Sequence, residues 1–175
     1  MATTTKKITG NLNIATADYK EVKWVGKTKT GDPVIIKLSN AINLSNLEWT
    51  LADKDEVVAS AEYEACYEEH NGSTDITSEP WEVQYPSGGT GNENIILGYG
   101  TFYIGETAVG LCRGGGSFKV EREYRPIEAD GDKGTVKDRV VIDSSKAKLS
   151  MNVLHVLTCI ADFYPGITVS AVTQG

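Results

Sequence analysis

Alternation of apolar and polar residues with a period of two constrains this chain more than any other feature it has. In VVASAEYEACY (57–67), Val57, Ala59, Ala61, Tyr63, Ala65 and Tyr67 fall on one parity, and Ser60, Glu62 and Glu64 on the other. Successive side chains of a strand point to opposite faces. The pattern therefore predicts a long strand with Tyr63 and Tyr67 inward and a second face that meets water or a partner. SFKVEREY (117–124) repeats it, setting Phe118, Val120, Arg122 and Tyr124 against Lys119, Glu121 and Glu123. DPVIIKLS (32–39) is a β-branched run entered through a Gly-Asp-Pro turn. GTFYIGETAVGLC (100–112) predicts a hairpin turning at Gly105 and Glu106, and RVVIDSS and KAKLSMNVLHVL supply two further runs.

Helical signal is thin. ATADYKEVKWVG (15–26) offers Thr16 as an N-cap, acids early and Gly26 as a stop, so a helix is expected there. TCIADFYPG (158–166) has room for one or two turns before Pro165 ends them. HNGSTDITSEP (70–80) and YRPIEADGDKGTVKD (124–138) fit no regular element, and compact domains seldom keep loops of this length unless they serve a purpose or are disordered. The expected class is a single mainly-β domain with one or two short flanking α-helices.

A chain of 175 residues buries about 70% of its unfolded surface as one domain, so staples of disulfide or metal are not required. Cys66, Cys112 and Cys159 are odd in number and have no Cys-x-x-Cys spacing, which predicts free thiols in a protein made in a cytoplasm. MATTTKKITG has no apolar signal core, and no apolar run approaches the roughly 20 residues that cross a bilayer, so no membrane partner is expected. The net charge is −7 and uneven: residues 1–86 carry 8 Lys and 14 acids, residues 87–175 carry 9 basic and 10 acidic side chains. Residues 48–69 alone hold eight acids and one Lys. Such a surface is a poor grip for phosphates. It serves at least to keep the protein soluble.

Residues for catalysis are missing from the pattern. His70 stands in a Gly/Ser/Asn loop and His155 in the apolar run NVLHVL; no G-x-S-x-G, H-E-x-x-H or P-loop occurs. Asp130 and Asp132 begin a calcium-like spacing, but Thr135 stands where its glycine belongs and the closing Glu is absent. No enzyme activity, cofactor or metal is expected.

SGGTG (Ser87, Gly88, Gly89, Thr90, Gly91) has the composition of a flexible joint, and it is followed by NENIILGYG, which looks like the polar start of a chain. Two flanking stretches resemble the major tail tube proteins of long-tailed bacteriophages. Residues 92–154, from NENIILGYGTFYIGETAVGLC to KAKLSMNVL, are similar to the opening of that family: a hairpin, a glycine-rich corner, a strand of alternating charge, and a long acidic loop returning to a strand. Residues 19–68, from YKEVKWVGKTKTGDPVIIKLS to VVASAEYEACYE, are similar to its closing half. The order is exchanged, so residues 1–86 resemble the C-terminal half and 92–175 the N-terminal half. The expectation is a circular permutant, with former ends joined through 87–91; a two-half protein with a flexible interior loop is the alternative.

The resemblance implies a β-sandwich or partly closed barrel, six copies closing into a ring, and rings stacking into a hollow tube that DNA traverses without specific binding. It also implies a virion location after synthesis in a bacterial cytoplasm, and an initiator complex at the tail tip and a tape-measure protein as partners. Glu62, Glu64, Glu121 and Glu123 are the candidates for a bore-facing acidic wall; an ordinary solvated face is the other reading of their alternation. The loop Tyr124, Arg125, Pro126, Ile127, Glu128, Asp130, Asp132, Lys133, Lys137 and Asp138 is the candidate for contact with the next ring, with the joint holding the subunit as a soluble monomer. The competing reading is a β-sandwich binding module that uses Trp24, Trp49, Trp81 and the tyrosines as an aromatic platform for carbohydrate or protein.

Overall fold

The computed structural model describes residues 3–70, 72, 76–89 and 91–174. It is mainly β with one short helix. In chain order the elements are β1 (Thr3–Gly10), β2 (Lys20–Thr28), β3 (Pro33–Asn43), β4 (Ala59–Ala65), β5 (Trp81–Gln84), β6 (Ile96–Ile104), β7 (Thr107–Ala108), β8 (Cys112–Pro126), β9 (Val140–Val153), α1 (Val156–Phe163) and β10 (Ile167–Gln174). Eight strands form one antiparallel sheet in the order β7-β6-β2-β3-β4-β9-β8, with β5 paired to β3 off this path; β1 and β10 form a separate two-stranded ribbon.

The alternation of 57–67 appears as β4, where Ala59, Ala61, Tyr63 and Ala65 are buried, while Ser60 and Glu62 are exposed and Glu64 is half-buried on the opposite face. Tyr67 does not follow Tyr63 inward: the strand ends at Ala65 and Tyr67 is exposed, donating its hydroxyl to the Ser145 carbonyl at 3.3 Å. The helix expected over 15–26 is absent. A single 3-10 turn, Thr16–Asp18, precedes strand β2. Val22, Trp24, Gly26 and Thr28 have the period of a strand, and burying that row outweighs the weak helix-start signal of Thr16 and Asp18. RVVIDSS and KAKLSMNVL are one continuous strand, β9, because pairing with β8 runs unbroken in direction across both runs.

Trp24 explains two glycines. A Cβ on Gly26 would lie 2.0 Å from its indole ring, and one on Gly100 2.6 Å from it. The ring lies on a floor that only glycine leaves open.

Strand β3 pairs with β2 along one side and must serve two partners along the other: β5 through Ile35 to Leu38, and β4 through Ala41 to Asn43. The change of partner falls at a bulge. Two residues, Ser39 and Asn40, oppose the single Glu21 between the pairs Val22–Leu38 and Lys20–Ala41. Asn40 takes φ of 47°, in the left-handed region that asparagine tolerates better than other non-glycine residues. Its carbonyl accepts from Cys66 N–H at 3.3 Å and its side-chain amide donates to Glu68 at 2.6 Å, while Ser39 N–H reaches the Pro80 carbonyl at 2.9 Å.

Helix α1 covers the core with Val156, Cys159, Ile160 and Phe163. Carbonyls around its C-terminal end, which have no helical partner, are met by side chains of the sheet. Asn43 Nδ2 donates to the Phe163 carbonyl at 2.6 Å and Tyr63 Oη to the Asp162 carbonyl at 2.9 Å. Reciprocally, Tyr164 Oη donates to the Ser60 carbonyl at 3.1 Å. Asn43 Oδ1 accepts from Ser45 N–H at 2.9 Å, from the Ser45 hydroxyl, and from Glu62 N–H at 3.3 Å. One buried amide thus ties β3, β4 and α1 together.

Asn40→Gly should leave stability within about 0.5 kcal/mol, because glycine enters the left-handed region freely, whereas Asn40→Val should lose about 1–2 kcal/mol. Asn43→Ala should lose about 1–3 kcal/mol by stranding the buried Phe163 carbonyl. Urea denaturation of the three variants checks both expectations.

Candidate functional site

The sheet is curled, and its two ends meet through side chains. The Trp81 ring on β5 lies 5.6 Å from the Phe118 ring on β8. A Cβ on Gly116 of β8 would lie 2.7 Å from the Phe102 ring of β6. Arg122 of β8 grips Glu79, just before β5, with Nε to Oε1 at 2.9 Å and Nη2 to Oε2 at 2.8 Å. Trp81 Nε1 also donates to Glu79. The guanidinium beside Glu79 holds its carboxyl down at about 2, against burial that acts the other way. No backbone ladder joins β8 to β6 or β5 among the described residues. The outer edge of the 15-residue β8 is therefore unpaired there, and β7 with the following Val109 covers β6 from Phe102 to Ile104 alone among the described residues. Along the seam runs a cleft of about 420 Å³ lined in part by Trp24, Gly98, Gly100, Gly116 and Phe118.

All four candidate acids lie on one face. Glu62 and Glu64 of β4, and Glu121 and Glu123 of β8, point away from the core on either side of β9. Register interleaves them with Lys119, Lys146 and Lys148. Lys148 Nζ lies 3.5 Å from Glu62 and 3.3 Å from Glu121, and Lys119 Nζ lies 2.5 Å from Glu121. Hydrogen bonding to Lys119, then to Lys148, lowers the Glu121 carboxyl, and Lys148 is raised in return. The face thus carries four carboxylates and three ammonium groups, of which Glu62 and Glu121 share Lys148 and Glu121 also holds Lys119, a pairing that the alternation within any one strand could not reveal.

The proposed contact loop is shorter than expected. Tyr124, Arg125 and Pro126 belong to strand β8, paired with Ile142, Val141 and Val140, because pairing with β9 continues well past the core. Beyond Arg122 the β8–β9 hairpin leaves the body as an arm. Tyr124 and Ile142, opposite each other, are exposed, as are Val140 and Ile127. Arg125 clasps Asp143 on the other face of the arm at 2.7 and 3.0 Å. The tip holds Ile127, Glu128, Asp130, Asp132, Lys133, Lys137 and Asp138. Asp132 organises it, accepting from Ala129 N–H at 2.7 Å and from Arg139 Nη2 at 2.8 Å. Asp132 is thereby occupied by protein donors. Among the described residues no group of three or more His, Cys, Asp or Glu could hold a metal ion.

Residues 87–89, part of the proposed joint, lie at the surface after β5. Ser87 and Gly88 are exposed, Gly89 is half-buried, and Thr90 lies outside the described residues. Gly91 starts a 3-10 turn ending at Asn94, whose side-chain amide donates to the Gly89 carbonyl at 2.7 Å. The permutant expectation requires the two ends of the chain to approach each other; their pairing as a ribbon has no counterpart in it. Thr3 pairs with Gln174 and the register holds to Gly10 and Ile167, so the two ends of the described chain lie side by side. Its only sequence signal is β-branched content in TTTKKIT and ITVSAVT. Of the three tryptophans, Trp24 is buried, Trp81 is packed on Phe118 and only Trp49 is exposed.

These features define a mainly-β domain with an open-seamed sheet, a projecting arm and a projecting ribbon. Comparison with family models, with curated proteins and with solved structures finds no match for the chain.

Glu79 has a depressed carboxyl, so its contribution to stability is complete above its ordinary value of 4.5 and is lost as pH falls through about 2. Glu79→Gln should therefore weaken the protein at pH 7 and show a shallower acid limb between pH 5 and pH 2. Urea midpoints across that range measure it, and parallel limbs for the two proteins would remove Glu79 from the seam's energetics.

Proposed function

We propose that the chain is a structural subunit of the phage tail tube type, built to associate edge to edge into six-fold rings that stack into a tube. The observation that carries this reading is the unpaired outer edge of β8 together with the little-covered edge of β6 at the opposite end of the same sheet. Unpaired edges recruit strands, and a head-to-tail contact between two different edges closes into a ring when its rotation permits. Charges along β8, from Lys119 to Arg125, discourage indiscriminate pairing while the subunit is free. The arm, with Tyr124, Ile127, Val140 and Ile142 exposed, is the element we assign to stacking on the next ring.

In this reading the face of Glu62, Glu64, Glu121 and Glu123 lines the bore. Its lysines are in part held by those carboxylates, so the wall offers DNA few free cations, and phosphates slide past without a site to bind. An initiator complex and a tape-measure protein are the partners such a subunit needs, and the virion is its location. The permutation is supported by the surface course of 87–89 and by the pairing of Thr3 with Gln174. The aromatic-platform alternative gains nothing from Trp24 and Trp81, which are committed to packing.

Negative-stain microscopy of concentrated protein tests the reading, before and after cutting a protease site inserted between Gly88 and Gly89. Rings or tubes, more abundant after the cut, are the expected result. Protein that stays monomeric in both forms would sink the proposal. Amide exchange supplies a second check: residues 127–138 should exchange quickly in the free subunit and slow in the assembly, and strong protection in the monomer would contradict a loop that orders on stacking.

A further inference from the structure

A groove of about 600 Å³ opens beside the N-terminal end of α1, lined by Trp49, Leu51, Val57, Leu154 and Leu157 among others. Leu157 is 72% exposed and Leu51 79%, although α1 buries its opposite side fully. Apolar surface gathered this way marks a contact site more often than a plain exterior. The lip of the groove is acidic. Glu48, Asp53, Asp55 and Glu56 surround the single Lys54, and Arg113 of β8 braces Asp55 at 3.3 Å and Glu56 at 3.0 Å.

The β1–β10 ribbon has the opposite character. Neither strand contains a carboxylate, and Lys6 and Lys7 are exposed and form no ion pair among the described residues. Its root is fixed by Ile8 and Ile167 against the core and by Asn11 N–H on the Gly166 carbonyl at 2.7 Å. Beyond that root a two-stranded ribbon is marginal in water by itself. Lys6, Val169 and Ala171 share one of its faces, because Lys6 lies opposite Ala171 and Ile8 opposite Val169. That face is apolar with a cation beside it, the complement of an apolar groove with an acidic lip. The ribbon leaves the domain just past the C-terminal end of α1, whereas the groove opens at the other end of the helix.

We propose that the ribbon of one copy docks into the acidic-lipped groove of a second copy, with Val169 and Ala171 against Leu51 and Leu157 and with Lys6, on the same face, on the carboxylates of 48–56; Lys7, opposite Ser170, stands on the other face. The contact joins two different surfaces that lie at opposite ends of α1, so it propagates from copy to copy as a ring or a chain. This inference rests on the self-assembly reading and names its interface. Part of its attraction is between exposed charges, so association weakens as salt is raised.

The test uses an equal mixture of ordinary and nitrogen-15-labelled protein, treated with a carbodiimide that couples lysine to carboxylate at zero length. Mixed-isotope peptides joining Lys6 to Asp53, Asp55 or Glu56 are expected; only same-isotope links, or none, would overturn the proposal. In sedimentation velocity, Lys6→Glu should weaken self-association by about fivefold or more, and Lys7→Glu, on the other face, by less. The pair Asp53→Lys with Asp55→Lys, added to Lys6→Glu, should restore it. Unchanged urea midpoints for these surface variants exclude unfolding as the cause. Rings that form equally well in every variant would refute the docking and leave the tube reading standing. Cross-linked chains without rings would do the reverse, and protein that never associates would refute both.

Discussion

Strand β3 has one edge and two partners to place along it, and the left-handed bulge at Ser39 and Asn40 resolves that conflict. Up to Leu38 the edge carries β5, which brings Trp81 and the neighbouring Glu79 to face β8. From Ala41 it carries β4, and through β4 the rest of the sheet. A straight β3 would send both partners along one flat plane. A bulge adds twist and bends the strand, and an asparagine at φ of 47° can supply it at lower cost than a β-branched residue. The curl of the sheet, the seam, and the face on which the glutamates stand all follow from that corner.

Closure of the seam by side chains instead of a ladder has a physical consequence. The Trp81–Phe118 contact, the Arg122–Glu79 fork and the approach of Phe102 to Gly116 hold the two ends together. They leave long stretches of backbone edge on β8 and β6 without a partner. Stability in this domain comes from the buried layer of Val22, Leu38, Tyr63, Leu149, Met151 and the apolar side of α1, with Asn43 holding the helix down. Elements beyond that layer, the β8–β9 arm and the β1–β10 ribbon, contribute little to it. Their exposed side chains instead stay at the surface, an arrangement that the proposed assembly would use.

Charge follows the same division. On the β4-β9-β8 face Glu62 and Glu121 share Lys148 and Glu121 also holds Lys119, whereas the lip at 48–56 keeps an acidic surplus and the ribbon keeps its two lysines. A net charge of −7 therefore describes no single surface. The balance at each face depends on which strands become neighbours, and carboxylates at Glu62 and Glu121 share a lysine that sits on a third strand.

The sequence by itself determined the mainly-β class, the inward row of Ala59, Ala61 and Tyr63, the turn at Gly105 and Glu106, and the short helix before Pro165. Each of these rests on side chains near one another along the chain, where a period of two, a tight turn or a helix stop can be read directly. Strand β2 reads as helical in the sequence because Thr16 and Asp18 are helix-start residues, and local propensity yields when a row such as Val22, Trp24 and Thr28 can be buried. Pairing of Thr3 with Gln174, the closure of Trp81 on Phe118 and the interleaving of Lys148 between Glu62 and Glu121 were decided only by tertiary structure. They join residues far apart in sequence, and no local pattern records which strand edges will meet. That choice is made by the bulge in β3 and by the collective burial of the core around it.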